Sequence, residues 1–396
     1  MTAVASGRRR RRWGRASRDA DSRETTGMRS LRIALLGSRG IPARYGGYET
    51  LLEEIGSRLA ARGHQVTVYC RTRYTHRHER EHRGVHLIRL PTLSSKHLDT
   101  PVHTFLSCLH TWGCDYDAAL MVNGANALFL PLLRLCRLPV ALHVDGIEKR
   151  RAKWGALGRA VYALCERLAC VLPNVLVTDA AVIQRHYQER YHAESRMITY
   201  GVEPRPARDD HTLERLGLVP RGYFLYVSRF EPENHPLAVI EGYRQVAGEL
   251  PLVMVGDAPY AKRYIAAVRA RADRRVLFPG AIYGEGYRML LANALAYVHA
   301  TEVGGTHPAL VEAMGYGNCV VVNETPENRE VAGDCARFFR VGEPATLAAA
   351  LEHVRTDPGA ARRAGEAAGQ RIAARYSWKR ACDQYETLFR ALQAGP

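Results

Sequence analysis

The sequence predicts an α/β protein of two doubly wound, Rossmann-like domains facing across a cleft. Three observations predict it. Short apolar runs alternate with stretches of helical periodicity through residues 31–200, and again from residue 223 onward, as in strand–helix–strand units of a parallel sheet. A segment rich in proline and charge, residues 203–221, separates the two series and reads as a linker. Glycine-rich turns follow an apolar strand in each series, where open α/β sheets bind ligands.

In the first domain, residues 30–202, Leu31–Leu36 is an apolar strand followed by a long loop with Gly37, Gly40, Gly46 and Gly47. Leu51, Leu52, Ile55 and Leu59 share one face of a helix over Tyr48–Arg62, and Gly63 ends it. His64–Cys70 is the next strand. The loop lacks GxGxxG and no acid closes the second strand, which argues against a dinucleotide dehydrogenase. Strands follow at Val85–Leu90, Ala118–Val122, Val140–Val144, Val175–Thr178 and Met197–Tyr200, with helices near Pro101–Thr111, Ala125–Cys136, 156–171 and 180–190. At the mouth of the Val140–Val144 strand, His143 and Asp145 stand two residues apart, so alternation puts them on one side. Glu148 and a basic run to Trp154 follow.

The second domain, residues 222–376, repeats the pattern. Its strands are Tyr223–Val227, Leu250–Val255, Val276–Phe278, Ala294–Ala300 and Cys319–Val322. Its helices are His235–Ala247, Ala261–Ala272, Gly284–Asn293 and Ala309–Tyr316. The centre of this half is TEVGGTHPALVEAMGYGNCVVVN, residues 301–323. A glycine turn (Gly304, Gly305, Thr306) leads into a helix with Pro308 in its first turn, where a missing N–H costs nothing. Such a helix start offers free backbone amides and a positive dipole end to a diphosphate. Glu312 lies about one turn, roughly 5 Å, into that helix, placed to accept hydrogen bonds from a ribose diol. Ser377–Leu392 is amphipathic and reads as a terminal helix within residues 377–396.

Composition bounds the class. Hydrophobic residues make up 46% and charged residues 24%, ordinary for a globular protein. Nine cysteines form no CxxC pair, so they read as reduced thiols of a cytoplasmic protein. Of the net charge of +16, +6 comes from residues 1–30. The arginine-rich tail, residues 1–29, has almost no apolar side chains and reads as a disordered extension. With Trp13 as its one aromatic residue before Leu31 it is a poor nucleic-acid module, so no nucleic-acid partner is expected. No apolar run is long enough to span a bilayer.

Val311–Gly317, "VEAMGYG", resembles the donor-site signature of family 4 glycosyltransferases of the GT-B fold, where an acid, about seven residues, then Glu-Ala-Met recur. Here Gly304 stands in place of the first acid, and the nearest carboxylate is Glu302. Three segments resemble one branch, the bacterial rhamnosyltransferase-like proteins: GSRGIPARYGGYET (37–50), HVDGIEKRRAKW (143–154) and VGGTHPALVEAM (303–314). In the second of these, Lys149 replaces the usual tryptophan. The resemblance spans residues 31–394 and implies a retaining, metal-independent transfer of a sugar, rhamnose foremost, from a nucleotide-diphosphate donor to a glycan or lipid-linked acceptor. No cofactor and no metal ion are implied; an Asp-Asp pair occurs at 209–210, in the linker.

The resemblance also implies roles. His143 faces the reacting sugar, with Asp145 as acceptor contact or base. Gly46, Gly47 and Glu49 lie near the diphosphate and the acceptor. Arg229 holds the diphosphate, and Asn234 stands where the family carries a lysine. The glycine amides at 304–306 then bear more of the phosphate charge, and Glu312 takes the ribose. Gly256-Asp257 and Pro279–Tyr283 line the base pocket, and the terminal helix crosses back to the first domain. Other readings remain open from sequence: a nucleotide-sugar epimerase of the same architecture, an inactive nucleotide-sugar-binding protein, or a nucleic-acid module resting on charge alone. The basic balance suits a cytoplasmic protein that rests peripherally on anionic lipid headgroups.

Overall fold

The computed structural model describes residues 29–43, 46–74, 79–93, 98–147, 155–208, 211–258 and 261–395. The basic tail through Met28, the run Glu148–Trp154 and the pair Asp209-Asp210 lie outside the described residues. Leu31–Pro396 forms one compact unit.

The first sheet has eight strands: β1 (Arg32–Leu36), β2 (Gln65–Arg71), β3 (Glu81–His82), β4 (Val85–Leu90), β5 (Ala118–Val122), β6 (Val140–Val144), β7 (Val175–Thr178) and β8 (Arg196–Met197). Their order is β3-β4-β2-β1-β5-β6-β7-β8, parallel except for the short β3–β4 pair. The second sheet has β9 (Phe224–Val227), β10 (Leu252–Val255), β11 (Val276–Gly280), β12 (Ala296–His299), β13 (Cys319–Asn323) and β14 (Ala336–Phe339). They are ordered β11-β10-β9-β12-β13-β14. The strands are continuous apolar runs because helices cover both faces of each sheet. Two buried clusters flank the first sheet and two flank the second.

Both sheets reverse direction once. The chain moves outward from β1 through β2 to β4, then returns to β1's other side with β5. It likewise moves from β9 through β10 to β11, then returns with β12. A crevice opens beyond the carboxyl ends of the strands at such a switch point. The glycine loop after β1 and the glycine turn after β12 occupy these two crevices.

The last helix, Trp378–Ala394, belongs spatially to the first sheet. Tyr385, Leu388 and Phe389 pack in one core with Ile33, Leu35 and the helix Gly47–Ala61. The two chain crossings run side by side: Val202 N donates to Tyr376 O at 3.0 Å. A Cβ on Gly201 would lie 2.2 Å from Trp378 N, so only glycine allows the crossings to touch.

Some elements differ from the sequence reading. The helix expected over Ala125–Cys136 is a 3₁₀ turn, Gly124–Phe129, followed by a helix at Leu130–Leu135. Asn123 (φ 75°) caps the turn by accepting from Ala125 N at 3.1 Å, and Asn126 Nδ2 donates back to Val122 O at 2.7 Å. Pro131, lacking an N–H, starts the helix afresh. The linker carries a four-residue helix, Thr212–Arg215. Beyond residue 323 lie β14 and helices at Pro326–Ala332, Pro344–Thr356 and Pro358–Arg375, each opening on proline.

Candidate functional site

The glycine turn after β12 meets the first domain directly. Gly305 N donates to Asp145 O at 2.5 Å, and Thr306 N donates to Asp179 Oδ2 at 2.9 Å. Thr306 Oγ1 donates to Asp179 O at 2.8 Å. A Cβ on Gly305 would lie 2.2 Å from Asp179 Oδ1, and one on Gly146 would lie 3.1 Å from Gly304 Cα. The Gly305 and Thr306 amides, expected to be open to a diphosphate, are therefore engaged by the first domain, the first by a backbone carbonyl and the second by a carboxyl group. Asp179 is fully buried, and Oδ1 has no hydrogen-bond partner among the described residues. Burial, and next the nearby Asp145, push its carboxyl well above the ordinary range, while the bond from Thr306 N opposes that rise.

Helix N-termini of both domains converge here. The helix Gly47–Ala61 starts at the end of the first glycine loop, and the helix Pro308–Gly315 starts just after Thr306. A Cβ on Gly47 would lie 3.1 Å from Pro308 Cγ and 3.2 Å from the Tyr200 hydroxyl. From the helix Gly47–Ala61 the buried Glu49 accepts from Arg39 N of the first loop at 2.9 Å, and Glu53 accepts from Ala43 N at 2.5 Å. Gly46 is the N-cap, with extended backbone.

His143, on β6, is completely buried. Its Nδ1 lies 2.6 Å from the hydroxyl of Tyr385, on the terminal helix. Tyr48 and Tyr200 meet the ring edge-on, at centroid distances of 5.9 and 6.0 Å. Desolvation lowers the imidazole to about 3, so it is neutral. A buried phenol whose one partner is an imidazole nitrogen donates its proton, since the reverse would strand the O–H. That assignment puts the neutral ring's single N–H proton on His143 Nε2, which has no partner among the described residues. Asp145, just past the strand, accepts from Tyr48 OH at 2.6 Å through Oδ1. Sequence reasoning missed Asp179, Tyr48, Tyr200 and Tyr385. Only Asp179 carried a local signal, an acid directly after an apolar parallel strand.

On the second domain, Arg229 lies 3.8 Å from Glu231, its side chain partly exposed. Asn234 is turned inward instead of toward the cleft. It is buried, its Nδ2 donates to Arg229 O at 2.6 Å, and its own carbonyl accepts from Tyr226 OH at 2.7 Å. The amide expected to reach the diphosphate thus shapes the Arg229 loop. Asp257 accepts from Ala258 N at 2.7 Å within its own turn.

Glu312 accepts from Tyr287 OH at 2.7 Å, and burial raises its carboxyl. It opens on a cavity of about 170 Å³, lined also by Glu54, Arg205, Arg288 and Trp378. Gly304 opens on a different cavity, of about 470 Å³, with Ile147, Glu233, His235, Glu302 and Glu327. Glu302 and His235 Nε2 are 2.8 Å apart there. The carboxylate at 312 and the glycine at 304 therefore face separate spaces.

The segment Asn328-Arg329-Glu330 joins the two domains. Asn328 donates to Thr301 O and Asn323 O, each at 3.0 Å, and meets His307 Nδ1 at 3.1 Å. Glu330 accepts from Ala181 N at 2.7 Å and Val182 N at 3.0 Å, at the start of the first domain's helix Ala181–Tyr191. No group of three or more metal-ligating side chains occurs among the described residues.

Residues 46–201 match the family model described as a glycosyl transferase 4-like domain, and residues 215–371 match the model for glycosyl transferases group 1. The chain belongs to the group 1 glycosyltransferases. No curated protein matches its sequence. Among solved structures it is similar to sucrose-phosphate synthase from Thermosynechococcus elongatus, at TM-score 0.78 and 18% identity, over 92% of this chain and all 100% of that one. It is also similar to Anabaena HepE, solved in complex with UDP and glucose, at TM-score 0.76 and 16% identity, over 91% and 100%. A trehalose-phosphate synthase (UDP-forming) from Burkholderia vietnamiensis matches at TM-score 0.68 and 12% identity, over 91% and 99%. At these identities the likeness establishes the fold, which is GT-B. The group 1 glycosyltransferase therefore has its two parallel-sheet domains joined at a pair of glycine loops.

Proposed function

We propose that this glycosyltransferase moves a sugar, rhamnose foremost, from a nucleotide-diphosphate donor to a glycan or lipid-linked glycan with retention of configuration and without a metal ion. The observation that carries the reading is the meeting of two helix N-termini, at Gly47 and Pro308, beside a buried neutral histidine whose Nε2–H is unsatisfied. In this reading the donor's phosphates replace the Asp145 carbonyl at the Gly305 amide and the Asp179 carboxylate at the Thr306 amide. Arg229 and the helix dipoles stabilise the charge that develops on the nucleoside diphosphate as it leaves. Glu312 takes the ribose hydroxyls. His143 Nε2–H donates to a sugar oxygen, and Asp145 contacts the acceptor. The acceptor belongs to cell-surface polysaccharide assembly, and the protein works in the cytoplasm with its first domain resting on an anionic membrane.

Thermal stabilisation against dTDP-, UDP- and GDP-sugars, free nucleotides and short DNA tests the reading. A true donor at a hundredfold excess over Kd adds about 2.7 kcal/mol. The gain is lost in Arg229→Ala and Glu312→Ala. Stabilisation by none of them, or by DNA alone, overturns the reading. Turnover of the donor without acceptor would indicate the epimerase instead.

A further inference from the structure

The helices covering one face of the first sheet carry apolar side chains on their outer surface as well as toward the core. On the helix Ala156–Val171, Leu157 is 80% exposed, Val161 42%, Leu164 48% and Val171 66%. These four fall at spacings of four, three and seven residues, one continuous stripe along a helix. The helix Asp99–Thr111 on the same sheet face exposes Phe105, and Trp112 just beyond its end is 51% exposed. Trp112 Nε1 donates to Leu132 O at 3.0 Å, and Cys165 Sγ lies 3.7 Å from Ala125 O. Both outer helices are thus tied to the intervening segment 124–135, and the three form one layer.

The exposed charge on the helices of this layer has one sign: Asp99, which opens the first of them, is half-buried and paired with Arg71, and the exposed Asp115 beyond Trp112 lies 3.5 Å from Arg32. Between Ala118 and Gln188 the described acids are Asp145, Glu166 and Asp179. Each is buried or half-buried and hydrogen-bonded inside the fold. The exposed charges of the layer are Arg134, Arg137, Arg159 and Arg167. An apolar stripe on a layer whose exposed helical charges are arginines matches an interface of acyl chains beneath anionic headgroups. It disfavours a second copy of the same face, which would bring arginine against arginine. No described helix is long and apolar enough to cross a membrane, so the contact would be peripheral.

We infer that the outer surface of the helices at 99–112, 124–135 and 156–171 seats the protein on an anionic lipid bilayer. The apolar stripe Leu157–Val171 enters the headgroup boundary, and Arg167, beside Leu164 and Val171 on the helix, pairs with lipid phosphates. This deepens the membrane part of the proposed function, and its test reads out separately from sugar transfer.

The full chain is co-sedimented with vesicles of equal parts phosphatidylglycerol and phosphatidylcholine, and with phosphatidylcholine alone. Binding to the anionic vesicles only is expected. The double variant Leu157→Glu/Leu164→Glu should weaken it by about tenfold or more, leaving melting temperature and nucleotide-sugar stabilisation unchanged. Arg167→Ser should weaken it at low salt. A chain with Arg8 to Arg12 changed to serine should still bind, which separates this surface from the tail. Absence of binding by the full chain overturns the proposal, as does unaltered binding by the glutamate variant. It is also overturned if sedimentation shows a dimer that the glutamate variant breaks and the vesicles do not bind. Vesicle binding without nucleotide-sugar stabilisation would leave the surface standing and reject the transferase reading.

Discussion

The two glycine loops occupy equivalent places, each beyond a switch point and each leading into a helix, yet their polar groups are satisfied differently. In the first loop, Arg39 N and Ala43 N are met by Glu49 and Glu53, acids on the very helix the loop introduces. In the second, Gly305 N and Thr306 N are met by Asp145 and Asp179, from the opposite domain. These two amides of the first loop are met within its own fold. The second is completed only by docking, so a ligand at its amides competes with the domain contact. Substitutions in the self-contained half should change stability whatever ligand is present. Those in the shared half should change ligand affinity and docking together.

The largest effect is expected in the first domain. His143 stays neutral in the fold, while in the unfolded chain it takes up a proton below its ordinary value of 6.5. The folded value of about 3 therefore means that stability falls as pH drops from 6.5 toward 3, by about 4 to 5 kcal/mol in all. Denaturant titrations across that range should show this extra acid sensitivity, and His143→Gln should lack it. Equal slopes in the two proteins would mean that His143 is not held neutral.

Gly305→Ala comes next. Its Cβ would be 2.2 Å from a buried carboxylate oxygen, whereas that of Gly47→Ala would be 3.1 Å from a proline carbon. A cost of about 2 to 3 kcal/mol is expected for the first, with loss of nucleotide-sugar stabilisation, and about 1 kcal/mol for the second. Equal costs would contradict the contrast between the loops.

Tyr385→Phe removes the partner of His143 Nδ1 and should cost about 1 to 2 kcal/mol. It also frees the tautomer, so turnover should fall with little change in KM. A KM change alone would indicate a purely structural hydroxyl.

The smallest effect separates charge from shape. Asp179 has a raised value in the fold, so its contribution is greatest below the ordinary carboxylate range and is lost as pH rises through that raised value. Asp179→Asn keeps an acceptor for Thr306 N and cannot ionise, so above the raised value, where Asp179 is charged, it should bind nucleoside diphosphate several-fold more tightly, about 1 kcal/mol. Calorimetric titration would detect it. Weaker binding would show that the carboxylate supports the site instead of competing for it.

Local signals carried much of the fold. Parallel strands covered on both faces are largely apolar, so LRIALL, VALHV and CVVV read as strands on sight. Pro308 and Gly317, the latter at φ +75°, marked the ends of the second loop's helix. The 3₁₀ turn at 124–129 was hidden because its composition is helical, and only the two asparagine bonds to backbone show the tighter winding. Asn234 looked like a cleft residue from its position in a motif, yet its amide serves the loop.

The sequence by itself determined the two alternating halves, the glycine turns and the positions of His143, Arg229 and Glu312, because periodicity and turn chemistry act over a few residues. Only the tertiary structure decided what those groups touch. Tyr385 reaches His143 across 242 positions, and Asp179 reaches Thr306 across 127. A hydrogen bond is set by distance in space, and a parallel sheet brings remote strand ends together without leaving a mark in the residues between them.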